Sequence, residues 1–205
     1  MKHAFRFALA ILTVAALQSV AFADPVTFNV DKSHSEVGFD IRHFFSKVHG
    51  RFNGFTGKIV FDEKTPANIS VEASADVNTV WTDNERRDGH LKSADFFDAE
   101  KFPTITFRST KVVPAGKGKY KITGDFTMRG VTKPVTFDAE FLGAGQVGVG
   151  GQSWGTKAGF TATAVINRKD FGVSWNKTLD NGGAMLADEV TIVLNIEADA
   201  AQAAK

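Results

Sequence analysis

Three residue types that hydrolyse esters and amides fall within one short stretch, Asp31-Lys32-Ser33-His34-Ser35. A nucleophilic serine needs a histidine base within hydrogen-bond reach, an acid that orients this base, and an oxyanion hole. Near neighbours on a strand point to opposite faces, so closeness in sequence does not assemble such a triad. His34, His43, His49 and His90 could offer metal ligands, but their spacing is not compact and the chain has no cysteine to complete a zinc site. The run from Gly143 to Gly155 follows a strand pattern without the Lys-Ser/Thr ending of a phosphate loop. Asp88 with His90, and Arg86 with Arg87, read as a solvated, ion-paired rim. These residues nominate neither a catalytic centre nor a metal site.

The elements that must position any site are strands. Val26, Phe28 and Val30 alternate with Thr27 and Asn29, and Val37, Phe39 and Ile41 alternate with Asp40 and Arg42. Period two places each apolar set on one face. The pattern recurs over Ile69 to Val77, Tyr120 to Met128, Val135 to Phe141, Phe160 to Ile166 and Val190 to Ile196. Phe55 to Phe61 and Ile105 to Phe107 complete the set. Turn chemistry separates the runs at Asp62 to Asn68, Pro114 to Gly118, Arg129 to Pro134 and the loop from Gly143 to Gly155. A long antiparallel sheet with one apolar face closes on itself and so removes its edges. The expected fold class is mainly β, a closed antiparallel up-and-down barrel of about eight strands. Asp40, Arg42, Glu72, Asp76, Lys121 and Asp125 lie on the polar face, which belongs in water and not in lipid, so the apolar face points inward.

One segment breaks the alternation. Thr82-Asp83-Asn84-Glu85 has capping-box spacing, which predicts a helix through about Ser93. Asp95 is placed to cap a second turn carrying Phe96 and Phe97, and Pro103 ends the excursion. This short helical insert is expected over one end of the barrel, with Leu91, Phe96 and Phe97 pointing in. Small interior residues such as Ala73, Ala75, Gly124, Ala139, Ala162 and Ala164 mix with large phenylalanines. Such a mixture either interdigitates into a solid core or leaves an apolar tunnel.

Lys2, His3 and Arg6 precede an apolar run that reaches Ala21-Phe22-Ala23, the pattern of a secretory signal peptide over residues 1–23. Residues 24–205 then form a single domain in an exported chain, with the periplasm as the expected location. The formal net charge is +1 before the leader's Lys2 and Arg6 are removed, so nucleic-acid binding has no electrostatic support. No apolar run approaches the roughly 20 residues of a membrane-spanning helix, and no stable membrane insertion is expected.

Several stretches together resemble one family. They are Asp31-Lys32-Ser33-His34-Ser35 followed by Val37, Phe39, Ile41 and His43; Arg87-Asp88-Gly89-His90-Leu91 with Asp95-Phe96-Phe97-Asp98; and Phe102-Pro103 with Ile105, Phe107, Ser109 and Thr110. Gly124 to Val135 and Ile166-Asn167-Arg168 with Asp170-Phe171-Gly172 complete the pattern. In this order they resemble the YceI-like polyisoprenoid-binding family. The Gly143 to Gly155 run with Trp154 departs from that family's pattern.

The resemblance implies a lipocalin-like barrel that holds an isoprenoid or other long-chain lipid in its tunnel, for periplasmic transport, storage or sequestration. It implies a homodimer as the candidate assembly, and a bound isoprenoid lipid as ligand with no cofactor. Together with strand parity it nominates as ligand-binding Phe39, Ile41, His43, Phe55, Val71, Ile105 and Phe107. Further along are Phe126, Met128, Phe137, Phe160, Ile166 and Arg168, and the insert adds Leu91, Phe96 and Phe97. Each buried CH₂ is worth about 0.8 kcal/mol, so ~20 carbons offer a gross ~16 kcal/mol before ordering costs. His43 and Arg168 are the two polar groups on inward positions. Each either closes the wall through structural bonds, for Arg168 with Asp170 or another carboxylate, or meets a head group. Two other readings stay open: a secreted hydrolase using rim His, Ser and Asp residues, and a solid-core stress-response partner.

Overall fold

The computed structural model describes residues 25–180 and 182–201, so the leader expected over residues 1–23 lies outside the described residues. In chain order the elements are β1 (Val26–Val30), β2 (Glu36–His43), β3 (Ser46–Phe52), β4 (Phe55–Phe61), β5 (Ser70–Asp76), β6 (Val80–Trp81) and α1 (Glu85–Lys92). There follow β7 (Thr104–Gly116), β8 (Lys119–Met128), β9 (Val131–Val149), β10 (Gln152–Asn167) and β11 (Leu186–Ala200). Among the described residues no helix is long and apolar enough to cross a membrane.

The sheet runs β1-β4-β5-β7-β8-β9-β10-β11, and β11 pairs back onto β1, closing an antiparallel ring of eight strands. β2, β3 and β6 continue the wall toward one end. β2 pairs with β11 through Leu194↔Val37, β3 pairs with β2, and β6 pairs with β3. β1 and β2 are therefore two halves of one bent strand, as are β3 and β4, and β5 and β6. The up-and-down order expected from the alternation holds once these bends are recognised.

Burial follows the period. Phe28, Phe61 and Ala198 are buried at the lower end, while Phe52, Phe126, Phe171 and Val77 are buried in the upper half. Strand β3 has no counterpart among the segments predicted from alternation. Its inward series, Val48, Gly50 and Phe52, is interrupted by a glycine, because the Phe39 ring lies across that position. A Cβ on Gly50 would sit 2.3 Å from Phe39 Cζ.

Other boundaries move for equally local reasons. The turn expected at Pro114 to Gly118 is confined to its end, since Pro114 pairs with Tyr120 inside the β7–β8 ladder. Arg129 and Gly130 make a two-residue hairpin turn with φ of 52° and 73°, so β9 already starts at Val131. The Gly143 to Gly155 stretch is not a loop. It forms the outer part of the β9–β10 hairpin, paired out to Val149↔Gln152, with only Gly150 and Gly151 at the tip.

The bend between β1 and β2 is tied down by charge. Asp31 accepts from the Ser33 amide at 2.9 Å and pairs with His34 Nδ1 at 2.8 Å. Lys157 of β10 reaches Asp31 at 3.4 Å, Glu197 at 3.1 Å and Asp199 at 2.7 Å, which links the bend to β10 and β11. The hydrogen bond from His34, reinforced by the Ser33 amide and Lys157, holds the Asp31 carboxyl down at about 2. Asp31 and Glu197 push the His34 imidazole above its ordinary value.

A depressed carboxyl contributes stability that is complete above its unfolded value and is lost as pH falls toward its folded one. The window for Asp31 therefore runs from about pH 5 down to about 2. Melting temperatures recorded across that range should fall steeply for the natural chain. Asp31→Asn should melt lower at pH 7 and show a flatter profile between those limits; an unchanged slope would remove Asp31 from the acid transition.

Candidate functional site

The ring is hollow. An upper chamber of about 800 Å³ lies toward α1, and a lower one of about 160 Å³ continues it. Val37, Ala75, Ile105, Phe126 and Ile192 border both, forming a waist between two parts of one tunnel. The lower part ends on packed rings. Phe61 lies 4.4 Å from Phe141 and 6.0 Å from Tyr120, and Phe141 lies 5.4 Å from Phe160, measured between centroids. Interiors normally close-pack, so a space of this size inside an otherwise apolar wall is the main candidate for a binding site.

All the residues nominated from parity and resemblance border this space. Phe39, Ile41, His43, Leu91, Phe96, Phe97, Met128, Ile166 and Arg168 border the upper chamber. Phe55, Val71, Phe107, Phe137 and Phe160 border the lower one, with Ile105 and Phe126 between. Sequence reasoning missed Leu186, the first residue of β11, and Val173, Trp175 and Met185, which close the upper chamber from the segment joining β10 to β11. That segment has no alternation to read. Trp175 becomes a wall residue by packing 5.2 Å from Phe96 and 4.9 Å from His90.

The insert covers the upper end as expected, but by different bonds. Asn84, not Thr82, caps α1: its side chain accepts from the Arg87 amide at 3.0 Å. Thr82 is buried and donates to Asp88 at 2.5 Å, while Arg87 donates to the Thr82 hydroxyl at 2.7 Å and to its carbonyl at 2.5 Å. Asp88 is thus a buried anchor for the helix, not a solvated rim charge. His90 pairs instead with Asp95 at 2.8 Å, and the amides of Phe96 and Phe97 go to the Ser93 and Leu91 carbonyls, so Asp95 does not cap the second turn. The chain beyond Ser93 is a series of turns, in which the Phe97 amide donates to the Leu91 carbonyl and the Asp98 amide to the Ser93 carbonyl. Arg129 fastens these turns to the barrel, donating to the carbonyls of Ala94 at 2.7 Å and of Gly172.

Residues 28–198, which contain the whole tunnel wall, match the YceI-like domain. The chain belongs to the YceI-like family. It is 39% identical to a UPF0312 protein of Vibrio parahaemolyticus over 168 residues, covering 82% of this chain and 87% of that one. A UPF0312 protein of Pseudomonas aeruginosa is 39% identical over 186 residues, covering 89% and 92%. Among solved structures, Burkholderia cenocepacia BcnA superposes with a TM-score of 0.70 at 27% identity, over 82% of this chain and 98% of that one. The Campylobacter jejuni YCEI protein does so with 0.63 at 31%, over 85% and 97%. A polyisoprenoid binding domain from Saccharophagus degradans shares the fold with a TM-score of 0.60 at 12% identity, over 86% and 99%.

In this YceI-like barrel the two inward polar groups differ. Arg168 is 3% exposed and donates to the carbonyls of Val173 at 2.9 Å, Trp175 at 2.8 Å and Ala187 at 2.9 Å. Its carboxylate partner is Asp188 at 3.4 Å, while Asp170 pairs with Lys133 at 3.6 Å. Arg168 therefore folds the segment with Trp175 against the wall. The His43 ring packs 4.1 Å from Phe44 and has no hydrogen bond among the described residues.

The triad types do not assemble. His34 meets Asp31, but the Ser35 hydroxyl donates to the Glu197 carbonyl at 2.9 Å and accepts from the Glu197 amide at 3.0 Å, so it serves the β-wall. Asp31, His34 and Glu197 converge closely enough to surround a cation, and the Lys157 ammonium already fills that role.

Replacing Arg168 by Met leaves one buried and two half-buried carbonyls without this donor and should cost about 3 kcal/mol in urea denaturation. The segment holding Trp175 should loosen at the same time, visible as a shift of its fluorescence toward that of exposed indole. A loss well under 1 kcal/mol would deny Arg168 its structural role.

Proposed function

We propose that this YceI-like protein binds a long apolar isoprenoid-type lipid, such as a polyprenyl chain or quinone, inside the tunnel. The observation that carries the reading is a pair of adjoining chambers of about 800 Å³ and about 160 Å³, lined mainly by apolar side chains, with the polar groups of His43, Asn84, Arg86 and Arg87 bordering only the upper one. A chain in such a space gains free energy per buried CH₂ and needs few polar contacts, so length and branching are read by shape. The sixteen nominated residues are its contacts in this reading. The polyisoprenoid binding domain of Saccharophagus degradans has the same barrel, which lends support at the level of architecture.

The role in this reading is that of a carrier, store or sink, which is supported by the Ser35 hydroxyl being committed to the Glu197 backbone of β11. The signal-peptide pattern of residues 1–23 supports the periplasm as the site of this work. The lid formed by α1 and the turns after it governs entry and release. Its Phe97 packs on Phe52 at 5.8 Å, and its Phe96 on Trp175.

Mass spectrometry of organic extracts from the purified protein should detect a co-purifying long-chain lipid. Ala75 sits at the waist, so Ala75→Phe should abolish that lipid while leaving the melting temperature near that of the natural chain. Repeated extracts without lipid, and no uptake when a polyprenol or quinone is added, would dismiss the reading.

Phe97→Ala should accelerate release of bound lipid about tenfold, equal to ~1.4 kcal/mol of lid contact. Stopped-flow displacement by a fluorescent polyene lipid measures this. Unchanged release would mean that the lid is not the gate.

A further inference from the structure

The turn between β2 and β3 carries an aromatic side chain that packing does not explain. Phe45 is fully exposed, at 104% of its reference area. Its neighbours hold it there. Phe44 adopts a φ of 50°, lays its ring against His43 at 4.1 Å and donates its amide to the Met185 carbonyl at 3.0 Å. Arg42 donates to the Phe44 carbonyl at 3.0 Å. His43 and Met185 both border the upper chamber, so Phe45 projects from the rim of the tunnel on an anchored turn.

Cations surround it. Arg42 and Lys47 are cross-strand partners at the base of the turn, and both are exposed. Lys177, also exposed, lies beside Met185, whose amide donates to the Lys177 carbonyl at 3.0 Å. Arg86 and Arg87 border the chamber across the mouth. Among the described residues none of these five cations is in an ion pair with a carboxylate. The acids at this end include Asp83 and Glu85 at the start of α1, Asp95 on the turns after it, Asp180 on the β10–β11 segment, and Asp188 and Glu189 at the start of β11, where Asp188 is already paired with Arg168 and Lys169; the turn from Arg42 to Lys47 has none.

We propose that this end of the molecule docks onto a lipid bilayer containing anionic lipids, with Phe45 entering the interfacial layer and Arg42 and Lys47 meeting the head groups. The inference rests on the reading that the tunnel holds a lipid, and it adds the route by which one enters or leaves. A single convex aromatic suits a fluid layer that yields around it, whereas a protein partner would need a matching pocket. Apolar side chains supply depth, and each nearby Lys or Arg adds attraction to anionic lipid. The opposite end offers a comparison within the same molecule. There Leu142, Val149 and Trp154 are exposed on the β9–β10 hairpin, whose residues 142–156 include no charged side chain.

Flotation of the full protein with vesicles of phosphatidylcholine, alone or with about a third phosphatidylglycerol, tests the proposal. The natural chain should float with the anionic vesicles and lose that binding as salt is raised. Phe45→Ala should weaken it about tenfold, and Lys47→Glu should weaken it at least as much. Trp154→Ala should match the natural chain, and circular dichroism should show all three variants folded. Absent flotation of the natural chain, or flotation of Phe45→Ala equal to it, would overturn the proposal. So would loss of flotation confined to Trp154→Ala, which would assign docking to the hairpin. Extracted lipid is measured on the same preparations. Phe45→Ala that retains tunnel lipid but no longer floats supports docking, whereas lipid-free preparations that still float would sink the tunnel reading and leave docking standing.

Discussion

Strand β11 carries two different partners on one edge, and the rest of the molecule depends on that division. Leu186 to Asn195 pair with β2, and Ala198 to Ala200 pair with β1. A closed ring must satisfy every backbone donor and acceptor along its seams, or leave an edge open to other chains. Dividing the pairing lets a single continuous strand serve both the closed lower ring and the upper wall of β2, β3 and β6. The change of partner occurs opposite the bend at residues 31–35, where Asp31, His34, Lys157, Glu197 and Asp199 bring charge to the seam. Ser35 joins them with two bonds to the Glu197 backbone.

From this division follows the shape of the interior. Below the bend, rings from five strands meet and close the lower end: Phe28 packs on Phe160, and Phe61 on Tyr120 and Phe141. Above it, the wall continues through β2, β3 and β6, and the larger chamber lies against it. The lid and the segment with Trp175 cover that chamber without filling it. Arg168 and Arg129 do related work here, since each gives its guanidinium to backbone carbonyls of irregular chain that no strand can satisfy. The tunnel is a consequence of closure geometry, and its apolar lining follows from the same alternation that makes the strands.

Much of the wall was legible because parity is a local property. Once Phe39, Phe126 or Ile166 is known to lie on an apolar face, a closed barrel leaves that face only one direction to point. Strand β3 escaped because Gly50 interrupts its inward series, and the reason for that glycine is the Phe39 ring from another strand. Thr82 was misassigned for a similar reason. Its spacing to Glu85 fits a capping box, but its hydroxyl is claimed by Asp88, and Asn84 takes the cap. The glycine-rich stretch looked like a loop because glycine weakens strand propensity, yet ladder bonds formed in a long hairpin carry it to Val149.

The sequence by itself determined the β class, the inward and outward faces, the helical interruption, the family resemblance and many of the residues that border the interior. These follow from periodicity and short-range spacing, which every residue carries with it. Only the tertiary structure decided that the interior is hollow, where it narrows, that Trp175 belongs to its wall, that Asp88 is an anchor and that Arg168 is spent on carbonyls. It also decided that Asp31, His34 and Ser35 brace a seam, with the Ser35 hydroxyl bonded to the Glu197 backbone. Each of those outcomes depends on distances between segments far apart in the chain, and such distances are set by how the ring closes.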